Sequence, residues 1–244
     1  MDVLSIGNSF SQDAQRYVKD IAKADGVELN VFNLYVPNCT LGMHFRNMHS
    51  DQRCYQLQVN GYSTGFSVSL KEALLNRSWD VITFQQASHR SWDLSSYQPY
   101  LQELAAYVRR LVPKAKLFMH QTWAYAKDLP RLQTLGFDTP SAMLEKVVAA
   151  YDQAAKAIGA QGLLPCGLVL EELLKSGVES VHRDGYHASR GLGRYALGLT
   201  WYAVLTGRSV LENSFCDLDE PASPQQLGLA KTCVERIVTQ YSVL

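Results

Sequence analysis

The chain reads as a three-layer α/β/α sandwich around a flavodoxin-like, five-stranded parallel sheet of order 2-1-3-4-5, and three observations predict it. Short apolar runs rich in β-branched residues recur between longer amphipathic stretches along all 244 residues, the alternation from which βαβ units are built. The first of these runs stops at Gly7-Asn8-Ser9, which sets a hydroxyl just past the carboxyl end of a central strand, where open α/β sheets place their ligands. No internal repeat, low-complexity tract or linker divides the chain, so residues 1–244 are expected to form one domain.

In chain order, strands are expected at residues 3–6, 29–36, 81–84, 116–120 and 162–164, each a short apolar run bounded by polar or turn-forming residues. Amphipathic periodicity places helices at 13–24, 97–111, 141–158, 168–175, 191–206 and 224–241. Two of these open on Thr139-Pro140 and Ser223-Pro224, pairs that cap a helix and fix its first turn. The stretches 38–66 and 122–138 lack regular periodicity and follow expected strands, so they should overhang the carboxyl edge of the sheet. They hold His44, His49, Tyr55, Tyr62, Trp123 and Tyr125. From these stretches and the end of the fourth strand, His44, His120, Trp123 and Tyr125 are candidate substrate-binding residues. Flat aromatic rings stack on sugars, and equally pack loops onto a core.

Composition excludes some partners. Lys plus Arg equals Asp plus Glu, 23 against 23, so charge provides no pull toward nucleic acid or an anionic membrane surface. No apolar run reaches the length of a membrane span. Five cysteines, Cys39, Cys54, Cys166, Cys216 and Cys233, form no C-x-x-C pair and are expected to be reduced thiols, mostly buried. The chain opens directly into a strand, which implies a cytoplasmic protein as it stands, or a secreted or periplasmic one if a leader was removed.

The chemistry lies in two distant pieces. A serine hydroxyl is a weak nucleophile at neutral pH and needs an imidazole to take its proton, while the imidazole needs a carboxylate to hold its tautomer. Ser9 near one end and Asp184-Gly185-Tyr186-His187 near the other supply all three groups, with Asp184 and His187 close enough to share one turn. A helix starting near Gln12 would aim its amino end at the same crevice, where its partial positive charge favours an oxyanion. The G-x-S-x-G elbow of the α/β-hydrolases is missing, since Ser11 stands where its second glycine would be.

With Gly7-Asn8-Ser9 and Asp184-x-x-His187 the chain resembles the SGNH/GDSL hydrolase superfamily, whose first block is Gly-Asp-Ser and whose last is Asp-x-x-His. Ile6-Gly7-Asn8-Ser9-Phe10-Ser11-Gln12-Asp13-Ala14, Thr122-Trp123-Ala124-Tyr125-Ala126 and Arg183-Asp184-Gly185-Tyr186-His187 more closely resemble its DUF4886 branch. The resemblance implies esterase chemistry with Ser9 as nucleophile, His187 as general base and Asp184 as its orienting carboxylate, without metal or organic cofactor. It also implies an oxyanion hole. Its donors are expected from the backbone of Ser9 and of Asn38, which stands where the family has glycine, and from Gln85 or Gln86 in place of the family's asparagine, as in the Gln-Gly-Glu-Ser block of some carbohydrate acetylesterases.

The expected function is therefore a serine esterase that removes short acyl groups, acetyl by analogy, from a carbohydrate or related small molecule. Two other readings are a carbohydrate-binding protein on the same scaffold without turnover, and a hydrolase that activates water on a metal held by His182, Asp184 and His187.

Overall fold

The computed structural model describes residues 1–241. Its first strand, β1 (Asp2–Gly7), is buried along almost its whole length, as a strand flanked by neighbours and helices on both faces must be. Helices α1 (Ser9–Gln15) and α2 (Val18–Ala24) follow, so the single helix expected over 13–24 is two, parted at Arg16-Tyr17 and begun four residues earlier. The reason is Asn8, whose side chain accepts from the Phe10 N–H and starts the helix at Ser9.

After β2 (Asn30–Tyr35) the structure departs from the expected loop over 38–66. The segment folds into α3 (Leu41–Ser50), capped by Thr40, and then the strands β3 (Tyr55–Val59) and β4 (Tyr62–Val68). Asn60 and Gly61 join them with φ of 52° and 82°, both left-handed, as a two-residue hairpin turn requires. Next comes α4 (Leu70–Leu75), whose Ser69 and Glu72 form a reciprocal capping box. The elements β5 (Val81–Phe84), α5 (Tyr100–Leu111), β6 (Lys116–His120), α7 (Pro140–Ala157), β7 (Gly162–Leu164), α8 (Cys166–Lys175), α9 (Leu192–Thr206) and α10 (Pro224–Tyr241) lie close to the expected ones, whereas the short helix α6 (Pro130–Thr134) forms inside the stretch 122–138 that showed no regular periodicity.

The sheet has seven strands in the order β4-β3-β2-β1-β5-β6-β7. The five-stranded, wholly parallel sheet expected from the sequence is thus incomplete. Its five strands are present, parallel and in the expected order, with Ser5 level with Asn33 on one side and Thr83 on the other. The hairpin β3–β4 adds two antiparallel strands beyond β2. On one face α9 packs against α1, α2, α8 and α10; on the other lie α3, α4, α5 and α7. The outermost strand β4 is exposed along most of its length, Phe66 included.

All five cysteines are free, with Cys39, Cys166 and Cys233 buried and Cys54 and Cys216 exposed. No described helix is long and apolar enough to cross a membrane.

Candidate active site

The site begins where β1 ends. A side chain on Gly7 would collide with the Ser11 hydroxyl and crowd Asn33, so only glycine lets the strand turn this tightly into α1. Asn8 is extended (φ −151°, ψ −150°), and Ser9 becomes the first helical residue. Its N–H is one of those a helix leaves without an intrahelical acceptor.

The segment carrying Asp184 and His187 lies between α8 and α9 and is closed at its base, where Arg183 N–H donates to the His187 carbonyl at 3.0 Å. Loops from the fourth parallel strand hold its flank: the Trp123 indole N–H donates to the Tyr186 carbonyl at 2.7 Å, and the Ala126 N–H to that of Gly185 at 2.7 Å. Phe10, next to Ser9, stacks on Trp123 with ring centres 4.2 Å apart and stands 5.8 Å from the His187 ring.

These contacts bring the two ends of the chain together. His187 Nε2 stands 2.9 Å from Ser9 Oγ, and its Nδ1 stands 2.6 Å from Asp184 Oδ2. Asp184 Oδ1 accepts from the N–H of His187 at 2.8 Å and of Tyr186 at 3.2 Å. Partial burial pushes the Asp184 carboxyl up, but the imidazole and the two backbone N–H groups outweigh it and hold the group below its ordinary range. It therefore stays ionised, and Nδ1–H of His187 donates to it. That leaves Nε2 to receive the hydroxyl proton. Ser9 and His187 are partly buried, and Asp184 reaches solvent.

Two backbone donors lie in the turns that follow β1 and β2. Neither the Ser9 nor the Asn38 N–H has a protein acceptor among the described residues, and Asn38 adopts the left-handed conformation (φ 54°) that asparagine tolerates. The turn it sits in is tied to Asn8, whose Nδ2 donates to the Cys39 carbonyl at 3.2 Å.

The glutamines stand otherwise than expected. Gln85 Nε2 donates to Asn8 Oδ1 at 2.6 Å, and its Oε1 accepts from the Ser11 hydroxyl and from His120 Nδ1. Gln86 gives its amide to Ser96 and accepts from the N–H of Leu41 and Ala87. Both are buried, with their amides engaged in the scaffold. The Gln85 amide is thus bonded to Asn8 and the Gln86 amide to Ser96, rather than left facing the Ser9 hydroxyl without a partner.

The four residues expected to contact substrate are core residues in the structure. His44 is bonded to Tyr55 and Cys39, His120 lies edge-on to Trp201, Trp123 packs under Phe10, and Tyr125 exchanges a hydrogen bond with Ser88 at 2.9 Å. All four are buried, because amphipathic rings on loops satisfy their polar atoms inward and cover the sheet edge with their faces. Burial pushes both His44 and His120 down to about 3, so each is neutral at physiological pH. His182 donates from Nε2 to the Ala124 carbonyl at 3.1 Å. Among the described residues no group of three or more His, Cys, Asp or Glu side chains is placed to hold a metal ion.

A doubly covered sheet presents a serine from its first loop, met on the same edge by an Asp-x-x-His segment from the other end of the chain, on a fold that SGNH-type proteins share. The chain belongs to the DUF4886 family, a domain of unknown function whose model matches residues 2–235. It is similar to a DUF4886 family protein from Bacteroides uniformis, with 31% identity over 98% of this chain and 95% of that one and a TM-score of 0.92. A candidate SGNH hydrolase from Slackia heliotrinireducens shares the fold at 22% identity (84% of this chain, 98% of that one, TM-score 0.62). So does Axe2, an acetylxylan esterase from Geobacillus stearothermophilus, at 15% identity (82% and 91%, TM-score 0.53). No curated protein matches the chain.

Proposed function

We propose that the protein is a serine esterase that removes short acyl groups, acetyl in the first instance, from a carbohydrate or related small molecule. One observation carries the reading: the unbroken line from Asp184 through His187 to Ser9, at 2.6 and 2.9 Å, drawn from opposite ends of the chain. The fold shared with an acetylxylan esterase supports the substrate class.

In this mechanism His187 Nε2 takes the Ser9 proton as Oγ attacks the ester carbonyl, and Asp184 holds the ring and balances the imidazolium that forms. The N–H groups of Ser9 and Asn38 donate to the developing oxyanion, an interaction worth about 3 kcal/mol per donor in comparable sites. The imidazolium then gives its proton to the leaving alcohol, and water, activated by the same nitrogen, releases the acyl group.

Hydrolysis of 4-nitrophenyl acetate by the wild type, Ser9→Ala and His187→Ala tests this. The wild type is expected to turn over and both variants to lose roughly 10⁴-fold or more in kcat. Equal rates from all three would end the esterase reading.

A further inference from the structure

We propose that Asp13 is a positioning residue for this reaction: buried on the helix that carries Ser9, it grips both sides of the Asp184–His187 segment and sets its distance from the nucleophile. The inference rests on the serine-esterase reading.

Asp13 lies four residues after Ser9, one helical turn on and on the same side of α1. Its side chain is fully buried, yet four protein donor atoms reach it in five contacts. Oδ1 accepts from Arg183 Nη1 at 2.9 Å and from Arg194 Nε at 2.9 Å, and pairs with Arg194 Nη2 at 2.8 Å. Oδ2 accepts from Arg183 Nη1 at 3.0 Å and from the Ala188 N–H at 3.1 Å. Arg183 immediately precedes Asp184, and Ala188 immediately follows His187. Arg183 closes the grip by donating from Nη1 to the Ala188 carbonyl at 2.5 Å.

One carboxylate on the nucleophile's own helix thus holds both flanks of the four residues that must meet that nucleophile. A charge buried this fully is costly unless its partners are fixed, so the loop has one low-energy position relative to α1. The same grip continues outward: Arg194 also reaches Asp219 at 3.2 Å, and Arg16 reaches Asp219 at 2.5 Å. These outer pairs tie α1 and α9 to the segment before α10 without touching the residues on either side of Asp184–His187, which makes them the natural control.

The test compares Asp13→Asn, Arg183→Gln and Asp219→Asn in the full-length protein. Steady-state kinetics on 4-nitrophenyl acetate is read beside the melting temperature and the low-field proton resonance of His187 Nδ1–H, assigned by its loss in His187→Ala. A misplaced imidazole should lower kcat of the first two variants by about tenfold to a hundredfold, leave KM within twofold and shift or broaden the resonance. Asp219→Asn should lose stability alone. Folded Arg183→Gln with wild-type kcat and an unmoved resonance would overturn the proposal, as would an equal kcat loss in Asp219→Asn; should Asp13→Asn not fold, Arg183→Gln decides. Absence of turnover in the wild type would instead refute the esterase reading, and the resonance comparison would still decide the role of Asp13.

Discussion

At the residue scale, Asn8 explains why this chain departs from the Gly-Asp-Ser block it resembles. Its Oδ1 caps α1 and accepts from Gln85, and its Nδ2 donates to the Cys39 carbonyl. An aspartate could do the first two but not the third, and would set a carboxylate oxygen against a carbonyl. Asn8→Asp is therefore expected to destabilise the protein by about 1–3 kcal/mol, measured by urea denaturation; unchanged stability would show that the Cys39 bond is idle. His44 and His120 make a second prediction. Burial holds both near 3, against about 6.5 in an unfolded chain, so the unfolded state binds more protons between these values. Stability contributed by the neutral rings is present above about pH 6.5 and lost as the pH falls from there toward 3. Between pH 7 and pH 5 the loss is about 2 kcal/mol for each ring. Urea titrations at the two pH values check it, and His120→Gln should reduce the difference by about 2 kcal/mol. That Ser9, Asp184 and His187 meet was legible in the sequence because the proposed Ser-His-Asp chemistry demands those three types. The places of Gln85, His120 and Trp123 were not, because the same side chains serve equally as binding groups or as buried scaffold, and only the partner atoms decide. The place of Asp13 is visible only in the structure, because a carboxylate near the start of an amphipathic helix reads the same whether it faces solvent or, as here, is buried.

At the element scale, the five parallel strands and six of the helices could be read from periodicity, since each buries a continuous apolar face. The hairpin could not. β4 is exposed along most of its length and its side chains alternate no apolar face, so hydrophobic pattern does not distinguish it from loop. Two local signals were nevertheless present: Asn60-Gly61, the pair a tight hairpin turn favours, and Ser69-x-x-Glu72, a capping box. The turn carries a prediction. Gly61 has φ 82°, and a Cβ there would stand 2.8 Å from the Arg16 carbonyl, at the junction of α1 and α2. Gly61→Val should cost about 2 kcal/mol or more, read as a lower melting temperature, while hydrolysis by the folded fraction is unaffected. A melting temperature equal to that of the wild type would mean the hairpin is not docked on that junction.

At the scale of the whole molecule, the fold's contribution is to bring residues 178 positions apart in sequence to one edge of a rigid sheet. Ser9 and Asn38 follow the first two parallel strands, and the Asp184–His187 segment reaches the same edge after the last. Such convergence follows from strand order 2-1-3-4-5, because the chain reverses its direction of winding beside β1 and opens a crevice there. The central claim is that His187 activates the Ser9 hydroxyl in that crevice. An activated alkyl phosphonate ester, which a serine attacks and cannot release, tests it most directly by intact-mass and peptide analysis. The account predicts one stoichiometric adduct, on Ser9, formed by the wild type and not by His187→Ala. An unmodified protein, or an adduct of equal yield in both, would contradict it.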